Sequence, residues 1–95
     1  MDRDSSQHTQ QGFSVRGRVQ GVGFRWWTQR KGAALGLAGT VRNLPDATVE
    51  VHVSGPAEIL EKFAVELATG PSAAYVDRVV RLSSEHSLPP NFIIE

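Results

Sequence analysis

Val15-Arg16-Gly17-Arg18-Val19-Gln20-Gly21-Val22-Gly23-Phe24-Arg25 is the stretch from which the rest of the chain can be read. Phe13, Val15, Gly17 and Val19 alternate with Ser14, Arg16, Arg18 and Gln20, the period-two pattern of a half-buried strand. At Phe24 the period becomes helical. Phe24, Trp27, Thr28, Lys31, Ala34 and Leu35 fall on one face, and Gly36 stands where a helix would stop. Between strand and helix lie Gly21 and Gly23, which let successive backbone N–H groups turn toward one point. Arg25 adds a forked, permanent positive charge to the positive end of the helix dipole. A cation there is unfavourable unless an anion joins it, so Gln20–Arg25 is expected to cradle a dianionic phosphoryl group.

Working outward, Gly39-Thr40-Val41-Arg42-Asn43 reads as a short strand and Leu44-Pro45-Asp46-Ala47 as a turn. Thr48 to Val53 reads as the partner strand of a hairpin, with Val49, Val51 and Val53 on one face. Gly55-Pro56 ends it, and Ile59, Leu60, Phe63, Ala64 and Leu67 mark the buried stripe of a second helix that stops near Gly70-Pro71. Tyr75–Leu82 is a fourth strand, and beyond Pro89-Pro90 a short extra strand covers Phe92-Ile93-Ile94. The order βαββαβ predicts an α+β, ferredoxin-like split βαβ sandwich, an antiparallel sheet with two helices on one face.

The 95 residues suit one domain with a modest core. Positions 1–11 are polar and are expected to be a disordered tail, leaving 12–95 as the domain. Net charge is zero, so an anion is held by a local site rather than a broad basic surface, and nucleic acid is not an expected partner. The central strand positions carry valines where an RNA-binding sheet would carry stacked aromatics. Cysteine is absent, which excludes disulfides, thiolate nucleophiles and cysteine metal sites and suits a reducing cytoplasm. No apolar run approaches the roughly 20 residues that cross a bilayer, so no membrane association is expected.

With these motifs in place, the chain from Gly12 to Glu95 resembles the acylphosphatase family. Val15–Arg25 is similar to that family's first motif without departure. Gly39-Thr40-Val41-Arg42-Asn43, followed by Val49 and Gly55, is similar to its second. Leu35-Gly36-Leu37, Val76-Asp77-Arg78 and Asn91-Phe92 extend the resemblance. Two positions depart from it. The family usually has an aromatic at Thr40 and a glycine at Ala47, and an L-residue forced into the left-handed region there costs roughly 1–2 kcal/mol.

The resemblance implies hydrolysis of the carboxyl-phosphate bond of small acyl phosphates, without a metal or cofactor, by a cytoplasmic enzyme expected to act as a monomer. The leaving carboxylate has a conjugate acid of pKa about 4, so it departs unprotonated and no general acid is required. The implied roles follow the motifs. Arg25 and the backbone N–H groups of Gln20, Gly21, Val22, Gly23, Phe24 and Arg25 bind the phosphoryl group, and inorganic phosphate with it. Asn43 orients the attacking water, accepting through Oδ1 and donating through Nδ2. The departures at Thr40 and Ala47 leave an alternative, a module that binds phosphate without turnover.

Other residues carry less. His8, His52 and His86 lack metal-ligand spacing and read as solvated or packed histidines. Adjacent Trp26 and Trp27 face apart on a helix, so Trp27 is expected in the core and Trp26 near the surface, as one wall of an acyl pocket. Thr28 is expected to contact the Gln20–Arg25 loop and help hold it.

Overall fold

The computed structural model describes residues 8–95. The elements are β1 (His8–Arg18), α1 (Phe24–Ala34), β2 (Ala38–Asn43), β3 (Val49–Pro56), α2 (Ala57–Thr69), β4 (Tyr75–Leu82) and β5 (Phe92–Ile94). The strands form one sheet in the order β4-β1-β3-β2-β5. Both helices bury their apolar stripes on one face of it, against Phe13, Val15, Val41, Val49, Val51 and Val53. Phe63 of α2 sits at the centre, its ring edge-on to Phe13 at 6.3 Å and tilted against Phe92 at 5.9 Å. The α+β sandwich expected from the element order is the observed fold.

Three details differ from the sequence expectation. β1 begins at His8 and not near Gly12, because His8–Gln11 pair with Pro56–Val53 of β3. Ladder hydrogen bonds need only backbone groups, so they carry the strand beyond its last apolar residue. The rest of the expected tail, 1–7, lies outside the described residues. The sheet is also mixed, since β5 pairs with β2 in parallel, Gly39 opposite Phe92 and Val41 opposite Ile94. β4 and β2 run in opposite directions, so a chain that leaves β4, crosses the sheet and doubles back lies parallel to β2. Finally, the buried stripe of α1 is Phe24, Thr28 and Gly32, with Trp27 and Leu35 half-buried on its flanks. A Cβ at Gly32 would lie 2.3 Å from the Phe92 ring. The helix penalty of about 1 kcal/mol for glycine is thus offset by the close docking of β5.

Residues 83–91 cross the sheet on the face opposite the helices. Gln10 Nε2 donates to Ser84 Oγ (2.9 Å) and to the His86 carbonyl (2.8 Å), fixing this crossing to β1. His52 of β3 is buried beneath it, with Nδ1 2.7 Å from Ser84 Oγ and its ring 4.0 Å from that of His86. The two histidines, which the sequence leaves as unrelated strand and loop residues, are thus stacked. Burial, and then the neighbouring His86, push the His52 imidazole below its ordinary pKa, while Glu50 opposes the shift and Arg42 adds to it. The unfolded chain therefore binds more protons than the folded one below about pH 6.5. This contribution is complete above that pH and is lost as the pH falls toward the folded value. The urea midpoint is expected to be lower near pH 5 than near pH 7.5, and His52→Asn should narrow the difference. An undiminished difference in that variant would place the acid sensitivity elsewhere.

Candidate active site

The turn after β1 is left-handed at Gly21 (φ 77°) and again at Gly23 (φ 79°), the residue that caps α1. A Cβ at either glycine would meet nothing within 4 Å, so the backbone geometry demands glycine there, and the space beside it is open. No side chain caps α1 and its first turn carries no acidic residue. The leading N–H groups of the helix therefore have neither an intrahelical nor a side-chain acceptor. They border a cavity of about 160 Å³ walled by Val19, Gly21, Gly23, Phe24, Arg25, Trp26, Asn43 and Ile94. Arg25 is half-buried in this wall, with Nη1 donating to the carbonyl of Glu95 at 3.2 Å.

Asn43 reaches the same cavity from β2. Side chains alternate along a strand, so Asn43 shares the helix-covered face with Gly39 and Val41, while Thr40 and Arg42 point to the other. Its Oδ1 is buried and accepts no hydrogen bond from the described residues. Such an acceptor costs roughly 1–3 kcal/mol unless a ligand or water satisfies it. The cavity thus holds a permanent cation, unpaired backbone donors and one unpaired acceptor.

The hairpin that carries Asn43 is tightly fixed. Ala47 N–H donates to the Leu44 carbonyl (3.1 Å) and Leu44 N–H to that of Thr48 (2.9 Å). Asp46 accepts from the Thr48 amide (3.0 Å) and hydroxyl (2.6 Å), and these bonds hold its carboxyl below the usual carboxylate range. Ala47 is left-handed, with φ 75°. The turn keeps the backbone a glycine would have adopted, and alanine bears the strain. Ala47→Gly is therefore expected to stabilise the fold by about 0.5–1 kcal/mol, the relief of strain less the entropy of an added glycine. Thermal melts should show Tm raised by roughly 3–6 °C, and an unchanged or lower Tm would contradict the strain.

Gln20 contributes more than the sequence expectation allows. Its side-chain amide spans from the cradle to the hairpin, donating to the carbonyls of Leu44 (2.9 Å) and Thr48 (2.8 Å). One residue thus joins the two halves of the site. Gln20 and Val22 are not part of the cavity wall, and Val22 packs against the core. Thr28 lies fully buried on α1, and its Oγ1 has no hydrogen-bond partner among the described residues. Trp27 tilts against Phe24 at 5.5 Å, and Trp26 is 59% exposed. Thr40 lines a different cavity, with Arg42, Glu50, His52 and His86, on the far side of the sheet.

The split βαβ sandwich places a glycine-bracketed turn, an arginine at the helix start and an asparagine around one cavity, the architecture of a small α+β domain with a candidate anion site. The acylphosphatase family model matches residues 11–94, and the chain belongs to that family. It is 54% identical over 67 residues to an acylphosphatase of Koribacter versatilis, covering 70% of this chain and 61% of that protein. It is 51% identical over 65 residues to one of Nitrobacter hamburgensis, covering 68% of this chain and 66% of that one. The matched stretch thus spans just under two thirds of these relatives' length. An acylphosphatase structure from Coxiella burnetii superposes over 100% of both chains, with a TM-score of 0.90 at 28% identity.

Proposed function

We propose that this protein hydrolyses the carboxyl-phosphate anhydride of small acyl phosphates to a carboxylate and inorganic phosphate. The observation that carries this reading is the cavity shared by Arg25 and Asn43, with an unpaired buried Oδ1 beside an uncapped helix start. Arg25 holds two phosphoryl oxygens in a bidentate fork. The backbone N–H groups of the Gln20–Arg25 loop that border the cavity, those of Gly21, Gly23, Phe24 and Arg25, complete the cradle, whose open side takes the third oxygen.

Asn43 Oδ1 accepts a hydrogen bond from a water and aims its lone pair at phosphorus, while Nδ2 donates to a phosphoryl oxygen. The water attacks in line with the bond to the acyl oxygen. That bond breaks with its electron pair, releasing a carboxylate that needs no proton. The water's proton passes to a phosphoryl oxygen, since the cavity wall carries no carboxylate or imidazole to accept it. Charge stabilisation and positioning supply the catalysis, which is what a loose phosphoryl-transfer transition state requires. This chemistry asks for no metal ion.

Neither departure from the family pattern reaches the cavity wall. Thr40 faces the other side of the sheet, and Ala47 preserves the left-handed turn. Both placements support turnover over a module that only binds phosphate. The test is hydrolysis of benzoyl phosphate in the presence of a chelator, with inorganic phosphate as inhibitor. Turnover inhibited competitively is expected. Phosphate binding with no hydrolysis would leave only the binding module, and activity that disappears with chelator would overturn the metal-free mechanism.

A further inference from the structure

The cavity that holds the cradle is too small to take much beyond the phosphoryl group and its water, so the acyl part of a substrate must leave through its rim. Trp26 and Ile94 are the exposed large apolar residues of its wall. Trp26 is the only residue shared by the cradle cavity and a second one of about 240 Å³ lined by Trp26, Trp27, Arg30, Lys31 and Ala34. Two of the five residues that border this second cavity are tryptophans. Arg30 stacks its guanidinium 4.7 Å from the Trp26 ring centroid, and Lys31 lies 5.9 Å from that of Trp27.

Arg30 makes no ion pair among the described residues, whereas Lys31 pairs with Glu66 at 3.4 Å. Stacking on the indole is thus its main contact, and it restrains a ring that would otherwise sample several rotamers at the surface. A 59% exposed tryptophan held in this way is a prepared binding surface.

We propose that Trp26, restrained by Arg30, selects the acyl group, and that the preferred substrates are acyl phosphates with a flat aromatic acyl part. The inference rests on the phosphoryl group occupying the cradle as described above. An acetyl group ends at the first carbon beyond the carbonyl and stays short of the second cavity. A benzoyl ring extends from the same carbonyl across the indole and gains stacking as well as apolar burial. The preference resides in binding, so it is read without turnover.

The test compares benzoylphosphonate with acetylphosphonate, whose P–C bonds are not hydrolysed, by calorimetry on the full chain. The wild type is expected to bind the benzoyl compound about tenfold more tightly, from one stacked ring and its buried area. Trp26→Ala should reduce that ratio to within about twofold, and Trp26→Phe should retain a part of it. Inorganic phosphate should bind the three proteins alike. A wild type without the preference, a Trp26→Ala variant that keeps it, or one that loses phosphate affinity to the same degree would each overturn the assignment. An intact aromatic preference in a protein that hydrolyses neither acyl phosphate would count against the proposed hydrolysis and not against the acyl surface.

Discussion

Replacing Arg25 with glutamine is expected to lower kcat/KM for an acyl phosphate by about 10³-fold or more, the scale on which a positioned arginine acts in phosphoryl transfer. Inhibition by inorganic phosphate should weaken together with it, by about a hundredfold, since two charge-assisted hydrogen bonds are lost. The fold should not suffer. Arg25 is half-buried and its recorded hydrogen bond goes to the Glu95 carbonyl. Removing a cation from a helix N-terminus also relieves an unfavourable interaction with the helix dipole. The variant is therefore expected to melt at or slightly above the wild-type Tm while losing both activity and phosphate binding. A variant that lost activity by unfolding would show the opposite order. One that kept phosphate inhibition would place the anion elsewhere.

Asn43→Ala is expected to act on a different quantity. Orienting the water matters in the transition state more than in the bound ground state, so kcat should fall by about 10²–10³-fold. KM and the phosphate inhibition constant should change by no more than about threefold, because Arg25 and the backbone donors remain. The substitution also deletes a buried acceptor that the described residues do not satisfy, so its effect on stability should be neutral or favourable. Equal losses in kcat and in phosphate affinity would make phosphate binding through Nδ2, and not water positioning, the whole contribution of Asn43. A normal kcat would remove it from the mechanism.

The cradle was legible because its signals are local. The change from period two to period 3.6 at Phe24, two glycines in the turn and an arginine at the helix start all fall within a dozen residues. The hairpin was legible for the same reason, and strand alternation alone, counted from Val41, puts Asn43 and Thr40 on opposite faces. What escaped was long-range. Gln20 reads as one more residue of the loop, and its amide finds carbonyls 24 and 28 positions later. The stacking of His52 on His86 depends on where residues 83–91 cross the sheet, which no periodicity encodes. The parallel pairing of β5 was equally hidden, because a three-residue strand carries no mark of its direction.

Gly32 shows how an apparent conflict resolves in three dimensions. Its place inside α1 weakens the helix locally, yet the contact with Phe92 requires it. Docking of β5 in turn brings Ile94 to the cavity wall and the Glu95 carbonyl to Arg25. A helix position that looks unfavourable in sequence thus helps to place the site's cation. Gln20 serves the other half in a comparable way, by tying the hairpin to the cradle.

The central claim is that the Gln20–Arg25 loop and Asn43 form a single phosphoryl site. Titration of the ¹⁵N-labelled chain with inorganic phosphate tests it most directly, since it reports each half of the site separately. The backbone amides of Gly21 to Arg25 and the side-chain amide of Asn43 are expected to shift along one saturation curve, and Arg25→Gln should abolish both responses. Shifts confined to the loop, separate curves for loop and asparagine, or a response centred on the opposite face of the sheet around Arg42 and His86 would contradict it.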